Sequence, residues 1–88
     1  MKVRLSTHLR SYTGRKGEVE ASGATLAEAM RDLDQHYPGL RFRVIDEQDH
    51  IRDTIKIYVN SNIMNGLNVP VNPTDTIHII GALSGGLG

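Results

Sequence analysis

The sequence predicts an α+β domain: a mixed sheet with one main helix packed across one face. Three observations carry that prediction. Apolar and polar residues alternate near both ends of the chain, around Val3–Leu5 and Ile77–Ile79, and again over Ile55–Val59. A single stretch, Leu26 to Tyr37, repeats its apolar residues with helical spacing. With 88 residues there is room for one core only.

Val3, Leu5, Thr7 and Leu9 alternate with Lys2, Arg4, Ser6, His8 and Arg10, which predicts a half-buried strand through residue 10. Thr13-Gly14-Arg15-Lys16-Gly17 reads as a turn, and Glu18-Val19-Glu20-Ala21 alternates again, so the two runs predict a β-hairpin. Ser22-Gly23-Ala24 breaks the strand. Thr25 and Glu28 fit a capping box, and Leu26, Ala29, Met30, Leu33 and Tyr37 form the apolar stripe of a helix about 11–12 residues long. Pro38-Gly39 ends it. Leu40, Phe42, Val44 and Ile45 lie among charges and predict a short extended piece before a polar turn. Ile55, Ile57 and Val59 form the inner face of a strand over Thr54–Asn60. Residues 61–75, with Gly66, Pro70 and Pro73, predict a loop pinned to the core, holding one helical turn or a short strand. Thr76 to Ile80 is the last strand. The first and last strands are the most apolar and belong at the sheet centre. The chain divides into a domain over 1–83 and a Gly-rich tail over 84–88.

Composition excludes several classes of function. There is no cysteine, hence no disulfide framework, thiolate zinc site or cysteine nucleophile. No apolar run approaches the ~18 residues of a membrane span. The charged start, Met1-Lys2-Val3-Arg4-Leu5, is not a signal peptide. A cytoplasmic protein without a membrane partner is therefore expected, and the formal net charge of zero argues against a nucleic-acid partner. That charge is unevenly spread. Residues 1–17 hold Lys2, Arg4, Arg10, Arg15 and Lys16 and no acid, while residues 18–88 hold five bases against ten acids, a net −5. The basic stretch suits either a solvated hairpin face or an acidic partner.

No constellation of side chains predicts catalysis. His8, His36, His50 and His78 have no metal-ligand spacing, although His8 and His78 would approach each other if the first and last strands paired. Asp46, Glu47 and Asp49 lack the spacing of a calcium loop. Gly14 and Gly17 flank Arg15-Lys16 without phosphate-loop spacing. The informative segment is the end, Ser84-Gly85-Gly86-Leu87-Gly88. A Gly-Gly segment threads a narrow channel in extended form and presents a main-chain carboxylate. A carboxylate is activated by forming a mixed anhydride, for example with AMP, and the adenylate passes its acyl group to sulfur or an amine. A protein whose reactive group is its own terminus needs no catalytic residue.

The ordered set Leu9-Arg10, Thr13-Gly14, Ala21-Ser22-Gly23, Thr25-Leu26, Asp32-Leu33, Tyr37, Gly39, Ile57-Tyr58-Val59-Asn60, Asp75 and Gly85-Gly86 resembles the ThiS/MoaD family of ubiquitin-like sulfur carriers. The likeness is greatest to the carriers of cysteine or thiocarboxylate-siderophore biosynthesis. The resemblance implies a β-grasp fold and a protein that is not itself an enzyme. It implies no bound cofactor. A ubiquitin-activating-type enzyme, using ATP and magnesium, would adenylate the terminal glycine. Sulfide or a persulfide would convert the adenylate to a thiocarboxylate, and a sulfur-accepting biosynthetic enzyme would consume it. The family pattern places that carboxylate on Gly86.

Three departures bear on this. Gly81 stands where many members have proline, which predicts a looser tail. Thr74 precedes Asp75 where glycine is usual. Leu87-Gly88 extend past the glycine pair by about 7 Å. Trimming by a JAMM-type zinc protease would expose Gly86; alternatively Gly88 itself is activated. On the solvent side of the sheet, His8, Tyr58, His78 and Ile80 form an expected docking patch for the activating enzyme, with Leu83 beside the tail. Two alternatives remain: a protein modifier conjugated to lysines, and an interaction module whose tail has no chemistry.

Overall fold

The computed structural model describes residues 1–81. The expected domain boundary at 83–84 lies outside them. The elements are β1 (Lys2–Leu5), a 3-10 segment (Thr7–Thr13), β2 (Glu18–Glu20), α1 (Leu26–His36), α2 (Leu40–Val44), β3 (Ile55–Val59), β4 (Asn62–Ile63) and β5 (Thr76–Gly81). Their five strands form one mixed sheet in the order β2-β1-β5-β3-β4. As the apolar content predicts, β5 is central, with β1 beside it. β1 and β5 run parallel, Val3 opposite Ile77 and Leu5 opposite Ile79. β3 runs antiparallel to β5 on its other side, with Ile57 opposite Ile79 and Val59 opposite Ile77. Because side chains alternate along each strand, this register puts Val3, Leu5, Val19, Ile55, Ile57, Val59, Ile77 and Ile79 on one buried face.

α1 covers that face. Leu26, Ala29, Met30 and Leu33 are all buried, at the i, i+3, i+4 and i+7 positions of one stripe. The capping box is present with one shift. Thr25 Oγ1 accepts the Glu28 N–H at 3.2 Å, and Glu28 Oε1 reaches past the N-cap to accept the Ala24 N–H at 3.0 Å. The segment 61–75 satisfies further donors of the first turn. Leu26 N–H donates to Val69 O at 2.9 Å and Ala27 N–H to Leu67 O at 3.1 Å. That segment is pinned as expected, holds β4 as its short strand, and buries Leu67 and Val71 in the core.

Two expectations fail, both through misread periodicity. The first strand stops at Leu5 instead of running through residue 10. Leu9 N–H turns back to Ser6 O at 3.0 Å, which starts the 3-10 segment and buries Leu9 and Thr13. Gly14 ends that segment at φ 64°, a left-handed conformation that glycine adopts without a Cβ clash. The hairpin therefore exists, with Val3 opposite Val19, but its connection contains a helical turn. The second failure lies at 40–44, which is α2 and not extended. Leu40 and Val44 are buried four residues apart, whereas Phe42, apparently in alternation with them, is 59% exposed and packs under the Arg52 guanidinium at 4.6 Å.

Two substitutions test this packing. Leu33→Ala should lower the unfolding free energy by about 2–5 kcal/mol in a urea titration; wild-type stability would mean that the helix face is misassigned. Gly23→Ala should also destabilise, because its Cβ would lie 2.7 Å from the Ala29 backbone N and 2.8 Å from Glu28 Cβ. An unchanged urea midpoint would show that this close approach does not exist.

Candidate functional site

The face of the sheet opposite α1 has no covering element among the described residues. Register alone assembles a lateral row across all five strands: Glu18 beside Arg4, Arg4 beside His78, His78 beside Tyr58, and Tyr58 beside Ile63. The next row pairs Ile80 with Lys56. The β2–β1 side is charged, with Arg4 Nε 3.4 Å from Glu18 Oε1. The β3–β4 side is apolar, with Ile63 47% and Ile80 43% exposed. Tyr58, Ser61, His78 and Ile80 line a shallow hollow of about 290 Å³ there. Three expected partner-binding residues, Tyr58, His78 and Ile80, are thus neighbours on one surface.

His8 is not part of that surface as a strand residue; it lies exposed in the 3-10 segment. Arg4, not His8, is the register partner of His78, so strand pairing does not bring the two histidines opposite each other. Among the described residues no three His, Asp or Glu side chains cluster as a metal site. The acidic run has structural work instead. Asp46 Oδ1 accepts the N–H groups of Gln48 and His50, each at 2.9 Å, and these bonds, the one from His50 first, lower the Asp46 pKa. Asp49 binds Arg41 at 2.7 Å. Leu83, Gly85, Gly86, Leu87 and Gly88 lie outside the described residues.

β5 is the strand that leads to the tail, and both its ends are fastened. At its last residue, Gly81 N–H donates to Ser6 Oγ at 2.8 Å, while Ser6 N–H donates to Ile79 O at 3.0 Å. Gly81 is buried, and a Cβ there would touch Ile55 Cδ1 at 3.4 Å and Leu9 Cγ at 3.5 Å. Gly81, where the resembled family often has proline, is therefore a strand residue whose N–H is a donor that proline lacks, while the tail it was expected to loosen lies outside the described residues. At its start, Asp75 Oδ1 accepts from Asn60 Nδ2 at 2.7 Å and Oδ2 from Asn72 N–H at 2.8 Å. Asn60 returns the contact, its Oδ1 accepting Thr76 N–H at 3.0 Å. This clasp holds the β3–β4 turn, with Asn60 at φ 50° and Ser61 at φ 82°, against the head of β5. Asp75 and Asn60 were noted in the sequence only as members of an ordered set; their pairing across 15 residues has no local signature.

The chain closely resembles known proteins over almost its whole length. A family model described as the ThiS family matches residues 3–86. The sulfur carrier protein CysO of Mycobacterium tuberculosis (strain ATCC 25618 / H37Rv) is 33% identical over 89 residues, covering 96% of each chain. A chain of the Amycolatopsis orientalis BexX/CysO complex superposes with a TM-score of 0.87 at 34% identity, covering 97% of this chain and 98% of that one. The small archaeal modifier protein 1 (SAMP1) of Methanosarcina acetivorans follows at TM-score 0.79 and 28% identity, covering 97% and 94%. The common architecture is the β-grasp, a mixed sheet with a main helix.

The clasp at Asp75 predicts a specific pH dependence. The Asn72 N–H first, and the Asn60 amide second, hold its carboxyl below the ordinary value. A depressed folded pKa contributes stability that is complete above the unfolded value of about 3.9 and is lost as pH falls through the lower folded value. Asp75→Asn should therefore be less stable than wild type near neutral pH, and the gap should close below about pH 4 in urea titrations. A gap that persists unchanged into strong acid would show that the charge is not involved.

Proposed function

The chain belongs to the ThiS family, and we propose that it is a sulfur carrier protein whose Gly86 carboxylate is its working group. The observation that carries this reading is the extent of the match. It spans the domain, continues through the glycine pair and ends on residue 86. Likeness to a sulfur carrier named as such, over 96% of both chains, supports the same reading.

The chemistry requires little of the chain beyond a presentable end. A carboxylate oxygen of Gly86 attacks the α-phosphorus of ATP in a ubiquitin-activating-type enzyme, and magnesium pyrophosphate leaves. Sulfide then attacks the acyl carbon and AMP leaves, giving the thiocarboxylate. Where the donor is a persulfide, the product is an acyl disulfide, and a second thiol of the donor attacks the donor-side sulfur, forming a disulfide there and releasing the thiocarboxylate. The resulting thiocarboxylate gives its sulfur to a biosynthetic enzyme. The carrier supplies no acid, base or nucleophile side chain to these steps. It supplies reach and recognition. Five residues beyond Gly81, the chain to Gly86 spans at most about 18 Å, so the activating enzyme must approach the end of β5 closely. The Tyr58–His78–Ile80 hollow borders that end and is proposed as its contact surface, and Leu83, three residues before Gly86 in the sequence, is proposed as a further contact. Leu87-Gly88 would place the carboxylate up to about 7 Å further out, and a JAMM-type zinc protease would remove them first. No helix among the described residues is long and apolar enough to cross a membrane.

Likeness to a small archaeal modifier protein favours one second reading. In it, a lysine amine of another protein attacks the same adenylate and forms an amide. The two readings share the activation step and differ in the acyl acceptor.

ATP–pyrophosphate exchange with the activating enzyme tests the shared step. The chain ending at Gly86 should support exchange, the full chain should do so only after trimming, and deletion of Gly85–Gly88 should abolish it. Adenylation of the full chain on Gly88 would overturn the trimming step. Equal exchange with the deleted chain would overturn the carrier reading.

A further inference from the structure

The fold brings two of the five bases of the N-terminal stretch, Arg4 and Arg10, to one groove. Arg4, Ser6, Arg10, Gly17, His78 and Ile80 line an open groove of about 440 Å³ on the outer sheet face, at the end where β5 reaches Gly81. It is separate from the apolar hollow on the β3 side and shares only the His78–Ile80 ridge with it. Arg10 is held in position there. Its Nε–H donates to Leu5 O at 3.0 Å, and its guanidinium lies over Gly17, where a Cβ would sit 3.0 Å from Cζ. Any side chain at residue 17 would crowd it. Glu18 is the acid lining the groove, and it engages Arg4 with both side chains about half exposed. Arg10 forms no ion pair with the described residues. The groove therefore presents an ordered guanidinium whose remaining N–H groups face an open space suited to a carboxylate fork.

We infer that this groove docks an acidic segment of the enzyme that activates the tail. The inference rests on the carrier reading above. Two features select that occupant. The groove carries two arginines against one glutamate, so its complement is anionic. It also adjoins Ser6 and Gly81, the last described residue before the tail. An enzyme that captures a terminus no more than about 18 Å further along comes within reach of this groove. Charges at the rim of such an interface act mainly on encounter and register. They should steer the carrier to the enzyme without altering the chemistry at Gly86.

Two measurements test this. In the first, the isotope-labelled full chain is titrated with a capped peptide of alternating Glu and Asp, and with its Gln/Asn counterpart, followed by NMR. The acidic peptide should give saturable shifts at the Arg10 side-chain Nε–H, Gly17, His78 and Ile80, lost in Arg4→Gln/Arg10→Gln and kept in Arg43→Gln. The spectra also report whether each variant is folded. Shifts spread evenly over Arg15, Arg31 and Arg43, or unchanged by the double substitution, would overturn the groove. In the second, steady-state activation of chains ending at Gly86 is measured. The double variant should raise KM about three- to tenfold with kcat retained, and added salt should erase the difference. Normal activation of wild type with an unchanged KM for the variant would overturn this docking site while leaving the carrier reading intact. Failure of wild type to be activated at all would overturn both.

Discussion

The parallel pairing of β1 with β5 is the constraint on which the rest of the molecule depends. It joins residues 2–5 to residues 76–79, nearly the two limits of the described chain. A parallel pair cannot be closed by a tight turn, so the intervening chain must cross over, and α1 lies within that crossover. The pairing also makes β5 the central strand, with β3 on its free side. The apolar face that α1 covers exists only in this register; a one-residue slip would send Ile77 and Ile79 to the solvent. Such non-local pairing is slow to form because the loop must close before any contact repays its entropy. The fastenings at both ends of β5, Ser6 at Gly81 and Asn60 at Asp75, stabilise the strand once it is in place.

The same constraint gives the molecule its two surfaces. One face of β5 is core. The other carries His78 and Ile80, the ridge between an apolar hollow toward β3 and a basic groove toward β1. In the sequence the strand is followed directly by the segment that bears Gly85-Gly86. On the proposed reading, recognition and reactivity are divided along one strand. In it the sheet face supplies the recognition, and Gly85-Gly86, with no Cβ atoms, supply the reactive end. On the proposed reading the chemistry resides in a main-chain carboxylate, and similar folds serve different functions.

Much of this was legible in the sequence where hydrophobic period and local capping chemistry agree. The α1 stripe, the Thr25–Glu28 cap and the inner faces of β3 and β5 could all be read residue by residue. Periodicity misled where a short run satisfies two periods at once. Leu40, Phe42 and Val44 alternate like a strand, yet the buried pair is Leu40 and Val44, and Phe42 is held outside by Arg52. Thr7 and Leu9 continue the alternation of Val3 and Leu5, but Ser6 is occupied by Ile79 and Gly81, and the chain turns after it. The Tyr58–His78–Ile80 surface was foreseeable because strand alternation fixes which face each residue takes. The positioning of Arg10 over Gly17 was not, because it depends on a helical turn that the alternating pattern conceals. The Asn60–Asp75 clasp was equally hidden, as it joins two turns that become neighbours only after β3 and β5 pair.

The central claim is that the protein works through the carboxylate of Gly86. The most direct measurement is the intact mass of the protein recovered from its own cells, with fragmentation of its C-terminus. The account predicts loss of Leu87-Gly88 together with exchange of one oxygen for sulfur on the Gly86 carboxylate. A full-length chain with an unmodified carboxylate, recovered while the cells are making the sulfur-containing product, would contradict it and leave an interaction module whose tail has no chemistry.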